Sequence, residues 1–400
     1  MTERRVYARL PRLKPYLIVL SLSLIVYLPV MMRATAAWTD FGKHIERALN
    51  FSTLTDDVLH VLFHTIFMFV HQIAPFLAHT TAALAAILLV MLPVPLMAYA
   101  LLKRAAGAAV PASILKSLAI ALTILAPITI WTDRFMLGYM SPMVYHNPTS
   151  VTARLFVIPL SLLALRIFQP GANGSRNQRL YITLLSASVV LLATLAKPSF
   201  TFALLPGCCL FAFWRLVRHQ YVDWLLLACG FCLPGALMLG LNYLLVYESE
   251  SGGSGIAFGF LTWMRHWIPT WRIPIQLALS LLFPLAVLAL YFERARRHQY
   301  LTMCWIIFLA SALAAYTLYE EGLRFQDGNF LWGSYNAIFL LMFASLLFLI
   351  EQHRRECKSD CGGLTAAGFR VSRRAAIASL AFLLHLLSGM AYYYRFVTAF

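Results

Sequence analysis

A chain of 400 residues that is 61% hydrophobic and only 12% charged lies far from soluble proteins, which run about 45–50% apolar and about 25% charged. Lipid must therefore solvate most of it, and disordered, collagenous, coiled-coil and disulfide-scaffold classes are excluded. The formal charge of +16 would suit a nucleic-acid binder, but the basic residues sit between apolar runs, so no nucleic-acid partner is expected.

A membrane-crossing helix needs about 20 apolar residues, and about eleven runs qualify, which predicts an all-α polytopic bundle. In chain order they lie near Tyr16–Met32, Thr80–Leu102, Pro111–Trp131, Val151–Phe168, Leu180–Ala196, Phe200–Trp214, Trp224–Val246, Pro274–Phe292, Tyr300–Leu318, Leu331–Ile350 and Ala375–Tyr394. The first reads as a retained helix rather than a cleaved signal, because its apolar stretch is long for a signal peptide. The fifth and sixth meet at Lys197-Pro198, as a helical hairpin or as discontinuous helices. With the N-terminus in the cytoplasm, most of the 32 Lys and Arg fall on the inner side, Lys103, Arg104, Arg166, Arg215, Arg294 and Arg354 among them, which fits eleven crossings and an outer C-terminus. All seven cysteines fall in membrane runs or the inner polar segment, so no outer disulfide is expected, and Cys229-Gly-Phe-Cys232 reads as packing. The outer polar stretch near 248 divides the chain into a module 1–247, with its first outer loop at 33–79, and a module 248–400, with outer loops 248–273 and 319–333.

Inner loops are plain basic connectors, whereas the outer loops mix acids, bases and aromatics, so chemistry is expected there. In the first outer loop, Trp38–Ala48 has the period of a helix lying along the membrane surface, with Asp40 and His44 sharing one face at i, i+4. Asp40 suits a general base tuned by His44; the same pattern also suits an interfacial helix with a solvated polar face. Asp56, Asp57, His60 and His64 recur at three- and four-residue steps, a spacing that leaves a divalent metal open, with no cofactor required. Tyr145-His146-Asn147-Pro148, followed by Arg154, marks an irregular outer segment, a binding wall or a simple helix-breaking turn. Lys197 is a lone cation between two apolar runs, which marks an anion or pathway, or snorkels to the interface. Trp263, Trp267 and Trp271, at four-residue steps around Arg265, predict an amphipathic interfacial helix. The stretch Tyr319–Gly333 is the densest polar patch, and the planar fork of Arg324 suits a phosphate.

An acid in the first outer loop of a many-helix chain, with the strings His146-Asn147-Pro148-Thr149, Lys197-Pro198-Ser199-Phe200, Glu321-Gly322-Leu323-Arg324 and Asn329-Phe330-Leu331-Trp332, resembles the GT-C superfamily of polyprenyl-phosphate-sugar-dependent glycosyltransferases, in particular its uncharacterised bacterial multi-pass members. The resemblance implies a GT-C-like fold in the bacterial cytoplasmic membrane, with the active site on the extracytoplasmic side. It implies Asp40 as the base on the acceptor hydroxyl, with Glu46 and Asp56 as further candidates for the acid. It also implies inversion at the anomeric carbon, with Lys197, Arg324 and Arg154 or Arg265 stabilising the departing lipid phosphate. His146, Asn147, Glu321, Asp327 and Asn329 complete the expected binding set. Partners would be a polyprenyl-phosphate-linked sugar, a glycan or lipid acceptor, and membrane lipid. Many members carry a second acid beside the first or two residues later, where this chain has Phe41 and Gly42. The alternatives are a flippase for a lipid-linked saccharide and a polymerase or ligase of larger lipid-linked glycans.

Overall fold

The computed structural model describes residues 10–36, 39–50, 60–131, 136–172, 174–248, 255–360 and 371–399. Among them, ten helices are long and apolar enough to cross a membrane, and the chain is a multi-pass membrane protein. The helices, in chain order, are α1 (Leu10–Ala36), α2 (Asp40–Leu49), α3 (Leu62–Ile73), α4 (His79–Met91), α5 (Pro93–Ala106), α6 (Ala112–Ala121), α7 (Pro148–Arg166), α8 (Arg176–Ala196) and α9 (Pro198–Val217). They continue as α10 (Leu226–Tyr247), α11 (Thr262–Trp267), α12 (Arg272–Leu290), α13 (Gln299–Thr317), α14 (Asn329–Asp360) and α15 (Arg373–Ala399). α4 and α5 make one span, 79–106. Strands β1 (Ile256–Phe258) and β2 (Leu318–Glu320) pair antiparallel, with Ile256 opposite Glu320.

Helix α14 is apolar on every side, a pattern that belongs at the centre of a bundle. Its spanning stretch is wholly buried, packed against α5, α7, α9, α12 and α13. Its start closes on the turn between α8 and α9, where a Cβ on Gly333 would lie 2.5 Å from the Ser199 carbonyl oxygen. Only glycine lets the two backbones meet there.

The bundle has two chemically different ends. At one, Arg215 donates to the Phe168 carbonyl (2.9 Å), Gln299 donates to the same carbonyl (2.9 Å), Arg179 pairs with Asp223, and Arg294 donates to Gln352 (3.2 Å). These are helix ends of the basic set. At the other end lie the C-terminus of α1, α2, the N-terminus of α7, Lys197 and the start of α14. Since α8 begins at the Arg179 end and α9 returns to it at Arg215, the fifth and sixth runs are an antiparallel hairpin with Lys197 at its tip.

The third predicted run, Pro111–Trp131, is not a spanning helix. It forms only α6 and then runs as non-helical chain to Trp131, because Pro127 has no N–H for the helix ladder and forces Ala126 toward extended backbone. The run still passes between the ends, from Gly107 near Arg354 to Trp131 stacked edge-on against Trp271 at 5.5 Å. Non-helical backbone at membrane depth survives only where protein satisfies its polar groups. Here His385 Nδ1 donates to the Ala126 carbonyl (2.8 Å), Ser388 donates to the Pro127 carbonyl (2.5 Å), and Ile128 N donates to the Leu279 carbonyl (3.4 Å). A Cβ on Gly389 would sit 1.8 Å from the Ile124 carbonyl oxygen, so α15 lies hard against this segment.

The tryptophan ladder is also broken. α11 ends at Trp267, and Ile268 is extended (φ −139, ψ 148) because Pro269 follows it. Trp271 therefore caps α12, exposed, while Trp263 turns inward and is only 9% exposed. Cys208, Cys209, Cys229, Cys232 and Cys304 are free thiols.

Candidate functional site

Helix α2 begins at Asp40 because Thr39 caps it, accepting from Phe41 N at 3.2 Å, and an acid in the first turn complements the helix dipole. Phe41, His44, Ile45 and Ala48 form its buried face, at the i, i+3, i+4, i+7 spacing of an amphipathic helix. Phe41 meets Phe63 of α3 edge-on at 5.7 Å. That packing leaves Asp40 and Lys43 on a cavity of about 330 Å³.

Asn147 caps α7 and fixes Asp40. Its Oδ1 accepts from Ser150 N (2.9 Å) and Thr149 Oγ1 (2.9 Å), which turns its Nδ2 outward to donate to Asp40 Oδ2 at 2.8 Å. Lys197 is extended between α8 and α9 (φ −165, ψ 120), only 5% exposed. Its Nζ donates to Thr149 Oγ1 (3.3 Å) and Asn147 Oδ1 (3.5 Å) and lies 4.8 Å above the Trp332 ring. Burial pulls the ammonium down to about 8, against the attraction of Asp40, Asp327 and Glu320. A buried lysine without a carboxylate in contact is a poised cation.

Arg324 lies in a 3-10 turn, Gly322–Asp327, and its Nε donates to Glu320 Oε1 at 3.2 Å. Glu320, 3% exposed, also accepts from Tyr247 Oη and from Asn329 Nδ2 (2.6 Å). It is the acid that anchors the Arg324 side, whereas the sequence reading named its neighbour Glu321 for the binding set. Adjacent residues in an extended segment face opposite sides. With Glu320 turned in, Glu321 is exposed, in a separate surface hollow with His266, Tyr319 and Phe325.

The structure thus brings Asp40, His44, His146, Asn147, Lys197, Arg324, Asp327 and Asn329 to one cavity, together with Lys43, Arg47, His60, Gln326 and Trp332. It does not bring Arg154 or Arg265. Arg154 is buried along α7, its guanidinium against Met143 Sδ and 4.9 Å over the Phe339 ring, while Arg265 is exposed and donates to the Phe260 carbonyl (2.6 Å). Glu46 is exposed on α2, away from the cavity lining, and Asp56, Asp57 and Asp133 lie outside the described residues.

His44 does not address Asp40. Its Nδ1 shares a hydrogen bond with His64 Nε2 at 3.0 Å, and its ring meets that of His60 edge-on at 6.2 Å. Burial, followed by the neighbouring His64 and Lys197, lowers His44 to about 2; burial lowers His64 to about 4 and holds His60 well below its ordinary value. The three rings are neutral at neutral pH, so His44 is a packing partner of the histidine cluster rather than a charge that tunes the acid. Among the described residues, no three His, Cys, Asp or Glu side chains converge on a point that would hold a metal ion.

The cavity opens on two sides with contrasting walls. Toward α9 and α10 it shares His60, Lys197, Arg324 and Asn329 with a groove of about 180 Å³ whose other walls include Phe202, Leu239, Val246, Ile256 and Phe330. Toward α15 it shares Asp40, Lys43, His146, Gln326, Asp327 and Trp332 with a vestibule of about 870 Å³. Asp40 therefore faces one opening, beside Lys43 and Asp327, and Lys197 and Arg324 face the other, beside Glu320. Compared by sequence and by shape, the chain gives no match to a protein family, to a curated protein or to a solved structure.

Proposed function

We propose that this protein is an integral-membrane glycosyltransferase of GT-C type, which moves a sugar from a polyprenyl-phosphate donor to an acceptor hydroxyl. The observation that carries the reading is the polarity of the cavity: Asp40 on its vestibule side, Lys197 and Arg324 on its groove side. The isoprenoid chain lies in the apolar groove with its phosphate against Lys197 and Arg324, and the acceptor enters from the vestibule. Asp40 accepts the proton of the acceptor hydroxyl, whose oxygen attacks the anomeric carbon on the face away from the phosphate. The anomeric C–O bond breaks, its electron pair goes to the phosphate, and the anomeric configuration inverts. Lys197 and Arg324 take up the charge that grows on the departing phosphate, and Asn147 holds the Asp40 carboxylate in line.

Sidedness follows from the charges. The helix ends around Arg179, Arg215, Arg294 and Arg354 belong to the cytoplasm by the positive-inside rule, which puts the N-terminus inside and the cavity on the extracytoplasmic face of a bacterial cytoplasmic membrane. Donor lipid and water-borne acceptor then meet at the membrane boundary.

The test is Asp40→Asn in purified, lipid-embedded protein supplied with radiolabelled polyprenyl-phosphate sugars. The amide keeps a hydrogen-bonding partner for Asn147 but cannot take a proton, so transfer falls by about 10²–10⁴-fold while the thermal transition holds. Undiminished transfer refutes the reading, and vesicle translocation of the lipid-linked sugar with no new glycosidic bond replaces it by a flippase.

A further inference from the structure

The vestibule beside Asp40 mixes aromatic, aliphatic and polar walls, and carries more polar surface than the groove. Its volume of about 870 Å³ lies in the roughly 300–1,000 Å³ range that encloses a ligand of two or three rings. Trp263, Trp332, Tyr335, Tyr392 and Phe396 present aromatic rings to it, interrupted by Lys43, Gln326 and Asp327. Flat rings between amide and charged side chains match the surface of a sugar, which offers an apolar C–H face and a rim of hydroxyls. Trp263 is buried in this wall, 9% exposed.

The surface continues outward. Gln326 lines the cavity, the vestibule and an outer hollow of about 720 Å³ formed with His266, Tyr319, Glu321, Gly322 and Phe325. Phe325 holds His266 edge-on at 5.2 Å and Tyr319 edge-on at 5.9 Å, so the three rings form a fixed shelf. Glu321 stands exposed beside it, accepting from Tyr319 Oη at 3.4 Å. Nothing in the transfer chemistry at Asp40 requires this second platform.

We infer that the acceptor is an oligosaccharide, its attacked sugar in the aromatic vestibule and its preceding sugars across Gln326 on the His266–Tyr319–Phe325 shelf. The inference rests on the transferase reading for the identity of the attacked hydroxyl, and it adds the class of acceptor and a length requirement.

The test uses the lipid-embedded full chain on an array of defined monosaccharides, disaccharides and longer oligomers of hexoses, N-acetylhexosamines and uronic acids. Wild type and Asp40→Asn should retain a set of oligomers and not the corresponding monosaccharides. His266→Ala and Gln326→Ala, both at exposed positions that fold without them, should weaken that retention about tenfold. Retention of no saccharide, equal retention of monomers and oligomers, or retention unchanged in both variants overturns the inference. Transfer onto a lipid or a single sugar with no gain for longer acceptors overturns it while the transferase reading stands. Oligomer retention with no release of polyprenyl phosphate from any donor leaves the saccharide site and removes the transferase.

Discussion

Replacing Lys197 with Met should stabilise the protein while disabling it. The lysine is 5% exposed and held at about 8 instead of its ordinary 10.5, so its charged form is disfavoured in the fold by about 3 kcal/mol. The methionine fills similar space without a charge. Its loss leaves Asn147 Oδ1 with Ser150 N and Thr149 Oγ1 as donors, and Thr149 Oγ1, which loses the lysine as a donor, still donates to Asn147. The sign follows from proton binding. Below pH 8 both folded and unfolded chains carry the proton and the full cost is present; between about 8 and 10.5 only the unfolded chain holds it, so wild-type stability rises with pH. Thermal unfolding in nanodiscs should therefore show Lys197→Met more stable at pH 7, by up to about 3 kcal/mol, with the gap closing as pH climbs through that window. Transfer should fall about 10²–10³-fold, the size of one lost donor to a developing oxyanion. In wild type, kcat/KM should decline as pH rises through about 8, and Lys197→Arg, charged throughout, should move that decline upward. Near-normal turnover in Lys197→Met, or a loss of stability at pH 7, refutes the reasoning.

The fold and the rest of the site make further commitments. Asn147→Ala removes the α7 cap, worth about 1 kcal/mol, and releases Asp40; kcat should drop at least tenfold with only a small fall in melting temperature, and an unchanged kcat would show that Asp40 positions itself. His385→Leu leaves the Ala126 carbonyl and Phe283 N, now within 2.8 and 3.3 Å of the ring, without that partner. At about 1–3 kcal/mol for each buried group, unfolding should become easier by about 2–6 kcal/mol, read as a lowered thermal transition. His44 and His64, held down to about 2 and about 4 by burial, bind protons in the unfolded chain before the folded one, so stability should fall as pH drops below about 6.5. His44→Phe should soften that fall and leave the kcat profile between pH 6 and 8 unaltered, whereas a shifted profile would return His44 to the chemistry.

Most of the scaffold was legible in the sequence because burial in lipid demands long apolar runs. Ten of the eleven runs read from period and length correspond to spanning helices among the described residues, most to within a few residues, and the clustering of Arg and Lys at alternate helix ends anticipated which ends lie together. The exceptions are local backbone effects that a hydropathy count overlooks. Pro127 turns the third run into extended chain after α6, and Pro269 ends α11 before Trp271; both were visible as proline signals, but α15 alone supplies the His385 and Ser388 partners that make the first tolerable.

Residue type and position alone marked Asp40, Lys197, Asn147 and Arg324, because lone polar groups beside apolar runs are costly unless they serve something. What sequence could not rank was which neighbours share a face. Glu320 rather than Glu321 supports Arg324, Arg154 points into the bundle, and His44 spends its nitrogen on His64. Some of these depend on contacts between segments more than a hundred residues apart, as Arg154 with Phe339 and Asn147 with Asp40; others depend on how a short loop or a second helix packs, as Glu320 with Arg324 and His44 with His64. Side-chain direction at a helix end or in a three-residue strand is set by the partner surface, and only the folded chain provides one.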